Sequence, residues 1–189
     1  MTRLGFIFYS MIFLASIVMA GKPTAEEENL YNECDKGNGK YSSCTKLIKI
    51  LSEKCDSGDM IGCADVGYIM GFELGMREAS VAPLDKSCKA GVAESCYNLG
   101  IFDIMRRGNI ERAFSSYVIA CEKFNDEKKL LKLKSCELRE ALDGCLRDSK
   151  DRDPVKCARK AYGKIYQKYD ENENSTKEQK MANPKRGKE

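Results

Sequence analysis

The sequence predicts an all-α fold, an array of helical hairpins stapled by disulfides, on three observations. One is a repeat: Cys55 to Gly67 reads CDSGDMIGCADVG and Cys88 to Gly100 reads CKAGVAESCYNLG, both with the frame Cys, two residues, Gly, four residues, Cys, three residues, Gly. Four matched positions recurring after 33 residues mark a chain of supersecondary units that bury their apolar faces on each other. Another is the presence of 10 cysteines among 189 residues. The last is apolar spacing of three and four residues in the segments between turn signals.

Thr2 and Arg3 precede an apolar run from Leu4 to Ala20, broken only by Gly5, Ser10 and Ser16 and closing Val18-Met19-Ala20. A basic start, an apolar centre and small residues before the cut describe a signal peptide over 1–20, cleaved after Ala20. The run also reaches the lower limit for a bilayer span, about 17 residues, so a retained anchor is the alternative. The cleaved protein is expected to be secreted or periplasmic, with no integral membrane segment. Export makes an even cysteine count a disulfide framework. Cleavage leaves 31 basic and 29 acidic side chains, intermixed along most segments. That balance lacks the one-sided basic stripe that phosphate binding needs, which excludes nucleic acid as a partner.

The mature chain reads as one repeat domain over 21–169 and a charged tail over 170–189. Glu26 to Asp35 opens with acids, as a helix N-terminus favours, and spaces Leu30, Tyr31 and Cys34 helically. Asp35 to Gly39 breaks the chain, and Ser42 or Ser43 is placed to cap a helix through Leu47, Ile48 and Leu51 to Cys55. Gly58 ends that helix, and the next starts near Asp59 and carries Val66, Ile69, Met70 and Leu74. Pro83 suits the first turn of a helix ending at Cys88 to Gly91. A fifth helix starts at Ala93 or Glu94 and runs to Gly108, and Asn109 caps a sixth through Ala113, Tyr117 and Cys121. After an insert, Asn125 to Lys134, a short helix over Glu137 to Gly144 and a last one from Pro154 to Tyr166 or Tyr169 close the array. The tail is too polar to bury surface and is expected to be disordered.

Two in-phase copies of Cys-x7-Cys must solve the same local problem, joining the end of one helix to the start of the next. That predicts the sequential pairs Cys34 with Cys44, Cys55 with Cys63, Cys88 with Cys96, Cys121 with Cys136 and Cys145 with Cys157. No histidine and no Cys-x2-Cys pair is present, so no metal and no cofactor is expected. Gly67 and Gly100, each four residues past a second cysteine, cost a helix about 1 kcal/mol against alanine and are read as sites of close helix packing.

The C-x2-G-x4-C-x3-G frame, with the helix ERAFSSYVIACE that follows its second copy, resembles the Sel1-like repeat in the disulfide-bridged form of the Helicobacter cysteine-rich proteins. The resemblance covers 55–124 closely and 125–169 loosely. It implies a right-handed αα-hairpin solenoid related to tetratricopeptide arrays, exported to the periplasm or medium. Some members of the family are described as β-lactamases or penicillin-binding proteins, others as secreted host-interaction factors. The 33-residue period is three short of the usual one, and the glycine-rich loop within a repeat is reduced.

Two functions follow. As a binding module for a protein or peptide, the chain would use Asp65 and Asn98 on a peptide backbone, with Tyr68 and Arg106 flanking it. Offsets of two, five and nine residues from the second cysteine put Asp65, Tyr68 and Phe72, and likewise Asn98, Ile101 and Met105, on one helix face. The alternative is that Tyr68, Phe72, Ile101 and Met105 are inter-repeat core. As a hydrolase, the resemblance implies a β-lactam- or peptidoglycan-like ligand, but the only Ser-x-x-Lys is Ser43-Cys44-Thr45-Lys46, without S-D-N or K-T-G, and Ser43 reads better as a helix cap. No catalytic residue is assigned. A lesser option is attachment to lipid or an acidic partner through Lys128, Lys129, Lys132 and Lys134 with Leu130, Leu131 and Leu133.

Overall fold

The computed structural model describes residues 23–34, 41–148 and 153–182, with side chains as far as 170. Residues 1–22, 35–40, 149–152 and 183–189 lie outside the described residues, and with them the expected signal peptide and the expected break at Asp35 to Gly39. Among those described there are eight α-helices and no strand: α1 (Ala25–Cys34), α2 (Tyr41–Asp56), α3 (Met60–Tyr68), α4 (Arg77–Lys89), α5 (Ala93–Phe102), α6 (Ile110–Lys123), α7 (Lys129–Arg147) and α8 (Pro154–Ala182). Two of them continue into π-helical turns, α3 into Ile69–Glu73 and α5 into Asp103–Arg107. Each helix packs chiefly on the helices before and after it in the chain. No described helix is long and apolar enough to cross a membrane.

The helix starts follow their caps. Thr24 and Glu27 form a reciprocal capping box at α1, with the Thr24 amide donating to Glu27 Oε2 at 2.6 Å and the Glu27 amide to Thr24 Oγ1 at 3.2 Å. Asp59 accepts from the Ile61 and Gly62 amides, Asn109 from Arg112, and Asp153, just before Pro154, from Val155 and Lys156.

All ten cysteines pair sequentially, at Cα separations of 4.9 Å (Cys34–Cys44), 4.5 Å (Cys55–Cys63), 4.6 Å (Cys88–Cys96), 4.8 Å (Cys121–Cys136) and 5.7 Å (Cys145–Cys157). Each closes a short loop between consecutive helices and contributes about 2.5 to 3 kcal/mol on the chain-entropy model. Five disulfides belong to an oxidising, extracellular environment.

The packing keeps the phase of the cysteines. Leu51, Leu84 and Tyr117, spaced by 33 residues, are all buried. Gly67 lies under Leu84, and a Cβ there would fall 2.4 Å from Leu84 Cγ; Gly100 lies under Tyr117, with a Cβ 2.7 Å from its ring. Both glycines are thus close-approach positions, and in each case the residue 17 further on fills the space. Gly58 and Gly91 (φ +99° and +90°), then Gly75 and Gly108 (both +66°), repeat in the same phase at left-handed helix ends.

Three expectations need correction. Pro83 stands inside α4, not in its first turn, because α4 begins at Arg77 directly after the Gly75 and Met76 turn. An interior proline costs about 3 kcal/mol and removes the amide that the Ala79 carbonyl would accept from. Ser43 lies within the first turn of α2, and its hydroxyl donates to Glu33 Oε2 at 2.5 Å, so it caps nothing. From Lys129 the insert is continuous with the short helix beyond it as one helix, α7, after a 3-10 turn over Asp126–Lys128, since Leu138 and Leu142 continue a buried stripe through strong helix formers. α8 runs to Ala182, past residue 170, where the charged tail was expected to begin.

Two predictions test this packing. Gly67→Ala lowers stability by about 1 to 3 kcal/mol because Leu84 cannot yield, whereas Gly144→Ala, with nothing within 4 Å, raises it by up to about 1 kcal/mol. Thermal melts of the oxidised variants read both signs. Burial raises the Glu27 pKa, but the Lys54 ion pair and the Thr24 hydrogen bonds outweigh it and hold the carboxyl below its ordinary range. Its contribution is therefore present above pH about 4.3 and lost as pH falls through the lowered value. Lys54→Met should flatten that acid limb in urea melts between pH 2.5 and pH 6 (roughly the window either side of the unfolded carboxyl).

Candidate functional site

The two π turns carry exposed apolar side chains, Phe72 in the first and Met105 in the second. A π turn admits one residue more than an α turn, and the first closes with the Leu74 amide on the Ile69 carbonyl at 3.0 Å. Within it Gly71 meets Phe102 of α5: a Cβ there would fall 2.5 Å from Phe102 Cζ. The missing side chain lets Phe102 lie against the turn and stack on Phe72, with ring centroids 4.9 Å apart, while Phe72 stacks on Tyr68 at 5.2 Å. The ladder starts in the core, where Phe102 is buried, and ends at the surface, where Phe72 and Tyr68 are each 42% exposed. Ile61, Met76 and Met105 are also more than two fifths exposed. Ile61 stands two helical turns before Tyr68, which aligns Ile61, Asp65 and Tyr68 along α3.

Asp65 sits beside this ladder and is partly buried. It accepts a hydrogen bond from the Tyr31 phenol of α1. Burial is the main cause that raises its pKa, with the charges of Asp59 and Glu27 adding to it, against the Tyr31 hydrogen bond and Lys54. The same burial and the Asp65 partner push the Tyr31 phenol upward. Lys54 is itself paired with Glu27.

The second π turn is clamped where the first is open. Asp103 is wholly buried and takes both Arg112 donors, Nε at 2.6 Å and Nη2, with Arg107 Nε at 3.8 Å. Arg107 reaches Glu78 of α4 at 3.0 Å, and Arg159 of α8 donates to the Ile104 carbonyl at 3.1 Å. Three elements thus tie down this turn, which fits a structural role.

Of the proposed face, Tyr68 and Phe72 are brought together and exposed, and Met105 is exposed on the second π turn. Ile101 instead packs on the core, so the core reading applies to Ile101 and not to the other three. Asn98 is partly buried on α5, and Arg106 is exposed in the second π turn. The residues missed from sequence are Tyr31, Phe102 as the inner ring, and Gly71. Gly71 was the available signal: a glycine within an apolar helical stretch, four residues past Gly67.

The remaining candidates are otherwise engaged. Ser43 donates to Glu33 while Lys46 is exposed. The lysine run does not form one basic face. Lys128 pairs with Glu94, Lys132 with Asp126 at 3.4 Å, and the buried Lys134 with Asp170 at 3.8 Å, over the rings of Tyr166 and Tyr169. Among the described residues no three His, Cys, Asp or Glu side chains group closely enough to hold a metal. A groove of about 350 Å³ between α2, α3 and α4 is lined by Val66, Met70, Ala79, Pro83 and Lys86, the last donating to the Cys55 carbonyl at 2.7 Å.

No family model, curated protein or solved structure matches this chain.

A raised carboxyl pKa costs stability once the group ionises. Asp65→Asn, which keeps an acceptor for Tyr31, should therefore unfold at higher temperature than the native chain at pH about 7 and lose that advantage below about pH 4, where Asp65 is protonated in both states. Thermal melts across this range read the crossover.

Proposed function

We propose that this is an exported, disulfide-stapled repeat protein of the Sel1-like type that binds a peptide or protein segment. In this reading the helical hairpins form a right-handed solenoid, and the ligand lies along α3, α5 and their π turns. The carrying observation is the aromatic ladder: one ring buried, two stacked rings 42% exposed, built over a glycine whose missing Cβ makes room for the inner ring. Covering a large apolar side chain contributes about 1.5 to 3 kcal/mol, and rigid aromatics at low entropic cost are what binding hot spots use. The common phase of the cysteines, the left-handed glycines and Leu51, Leu84 and Tyr117 supports the repeat reading. The five disulfides support export. A lactam-cleaving reading has no comparable support, since the Ser43 proton is directed at Glu33.

Peptides selected from a random library on the oxidised mature chain supply the test. Tyr68→Ala combined with Phe72→Ala should weaken their Kd by about 10- to 100-fold by isothermal titration, roughly 1.4 to 2.7 kcal/mol, with the fold retained because both side chains are surface-lying. Undiminished binding by the double variant would move the site elsewhere. Hydrolysis of a chromogenic cephalosporin that Ser43→Ala abolishes would replace the binding reading with the enzymatic one.

A further inference from the structure

The charge of this molecule is unevenly placed along the array. Residues 23–74 carry ten acids and five bases, net −5, whereas residues 75–169 carry fourteen acids and twenty bases, net +6. The exposed aromatic pair lies in the acidic half. Asp65 stands one turn before Tyr68, so its carboxylate and the Tyr68 ring share a helix face. Its hydrogen-bond partner is the neutral Tyr31 phenol, and no Lys or Arg among the described residues forms an ion pair with it. Lys54, whose charge reaches it, is paired with Glu27, and Asp59 and Glu27 add negative charge around it. By contrast Asp103, the buried carboxylate of the next repeat unit, is covered by Arg112 and Arg107.

Resting on the peptide-binding reading above, we infer that the site selects a cationic peptide: an Arg or Lys side chain laid across Tyr68 and Phe72 with its charge on Asp65, next to an apolar residue against Ile61. Each part has a physical reason. The face of a phenol or phenyl ring attracts a cation, and the flat guanidinium stacks on it as well as pairing with a carboxylate. A carboxylate held partly out of water, with a phenol for a partner, gains more from an arriving cation than a fully hydrated one does. The stacked rings and the Tyr31 bond orient both receptor groups before the ligand arrives, which lowers the ordering cost of binding. The acidic half adds long-range attraction that salt screens. Asp65 thus acts in selection, and the rings supply contact area for any peptide.

The test uses the oxidised mature chain and a random-peptide library selected at low ionic strength, in parallel with Asp65→Asn, a variant that keeps its fold. The native chain should enrich Arg or Lys beside an apolar residue, and Asp65→Asn should lose that enrichment while still selecting apolar peptides. A synthetic peptide of the enriched sequence should bind the native chain about tenfold tighter than its citrulline analogue, which keeps the shape and removes the charge. That ratio should approach one in Asp65→Asn and shrink when salt is raised from about 50 mM to about 500 mM. Pools lacking basic residues, or a citrulline ratio unchanged by Asp65→Asn, overturn the cationic selectivity while leaving peptide binding intact. Pools that bind independently of Tyr68 and Phe72 overturn both readings. Sedimentation covers the remaining occupant: a concentration-dependent dimer abolished by Asp65→Asn would assign this face to the Lys128 to Lys134 segment of a second copy and overturn the proposal.

Discussion

The helix packing in this fold depends on how closely one helix can approach the next. At five of the seven joints between the described helices a disulfide holds the end of one helix within 4.5 to 5.7 Å of the following segment, measured between Cα atoms. At two of them a glycine four residues past the second cysteine removes the side chain that would hold the helices apart, and the residue 17 further on enters the space, Leu84 over Gly67 and Tyr117 over Gly100. The covalent tie sets the hinge and the glycine sets the spacing. Neither suffices alone, because a staple at the helix end leaves the far end free to splay, and a glycine without the staple loses helix stability for no gain.

The same device, used once more at Gly71, produces the surface feature. Packing Phe102 onto a bare stretch of π-helical backbone leaves Phe72 with one face on a buried ring and the other toward Tyr68 and solvent. A rigid apolar platform is thus built on the rim of the core. The π turn after α5 is used differently, on the buried Asp103 and its arginines. The acceptance of a proline inside α4 beside the groove belongs with the same tolerance for local cost in a covalently tied array.

What was legible in the sequence were the features that recur at fixed spacing or rest on local chemistry. The Cys-x7-Cys frame predicted five pairings, Gly67 and Gly100 predicted close packing, and Asp59 and Asn109 announced helix starts. The errors share a cause. Ser43 looked like a cap and Pro83 like a first-turn residue because each is common there, but a partner on another helix and a turn at Gly75 and Met76 decided otherwise. The Asn125 to Lys134 insert broke the repeat spacing and was read as an interruption, although its residues are good helix formers.

The sequence by itself determined the helical class, the order of the elements and the covalent framework, because periodicity, caps and repeated cysteines act over a few residues. Tertiary structure alone decided which apolar residues stay exposed, since one helix face holds Ile101 in the core and its counterpart Tyr68 at the surface. It alone set Tyr31 against Asp65, 34 residues apart. Burial and such pairings are properties of how helices meet, and a pattern along one helix carries no record of what will lie across from it.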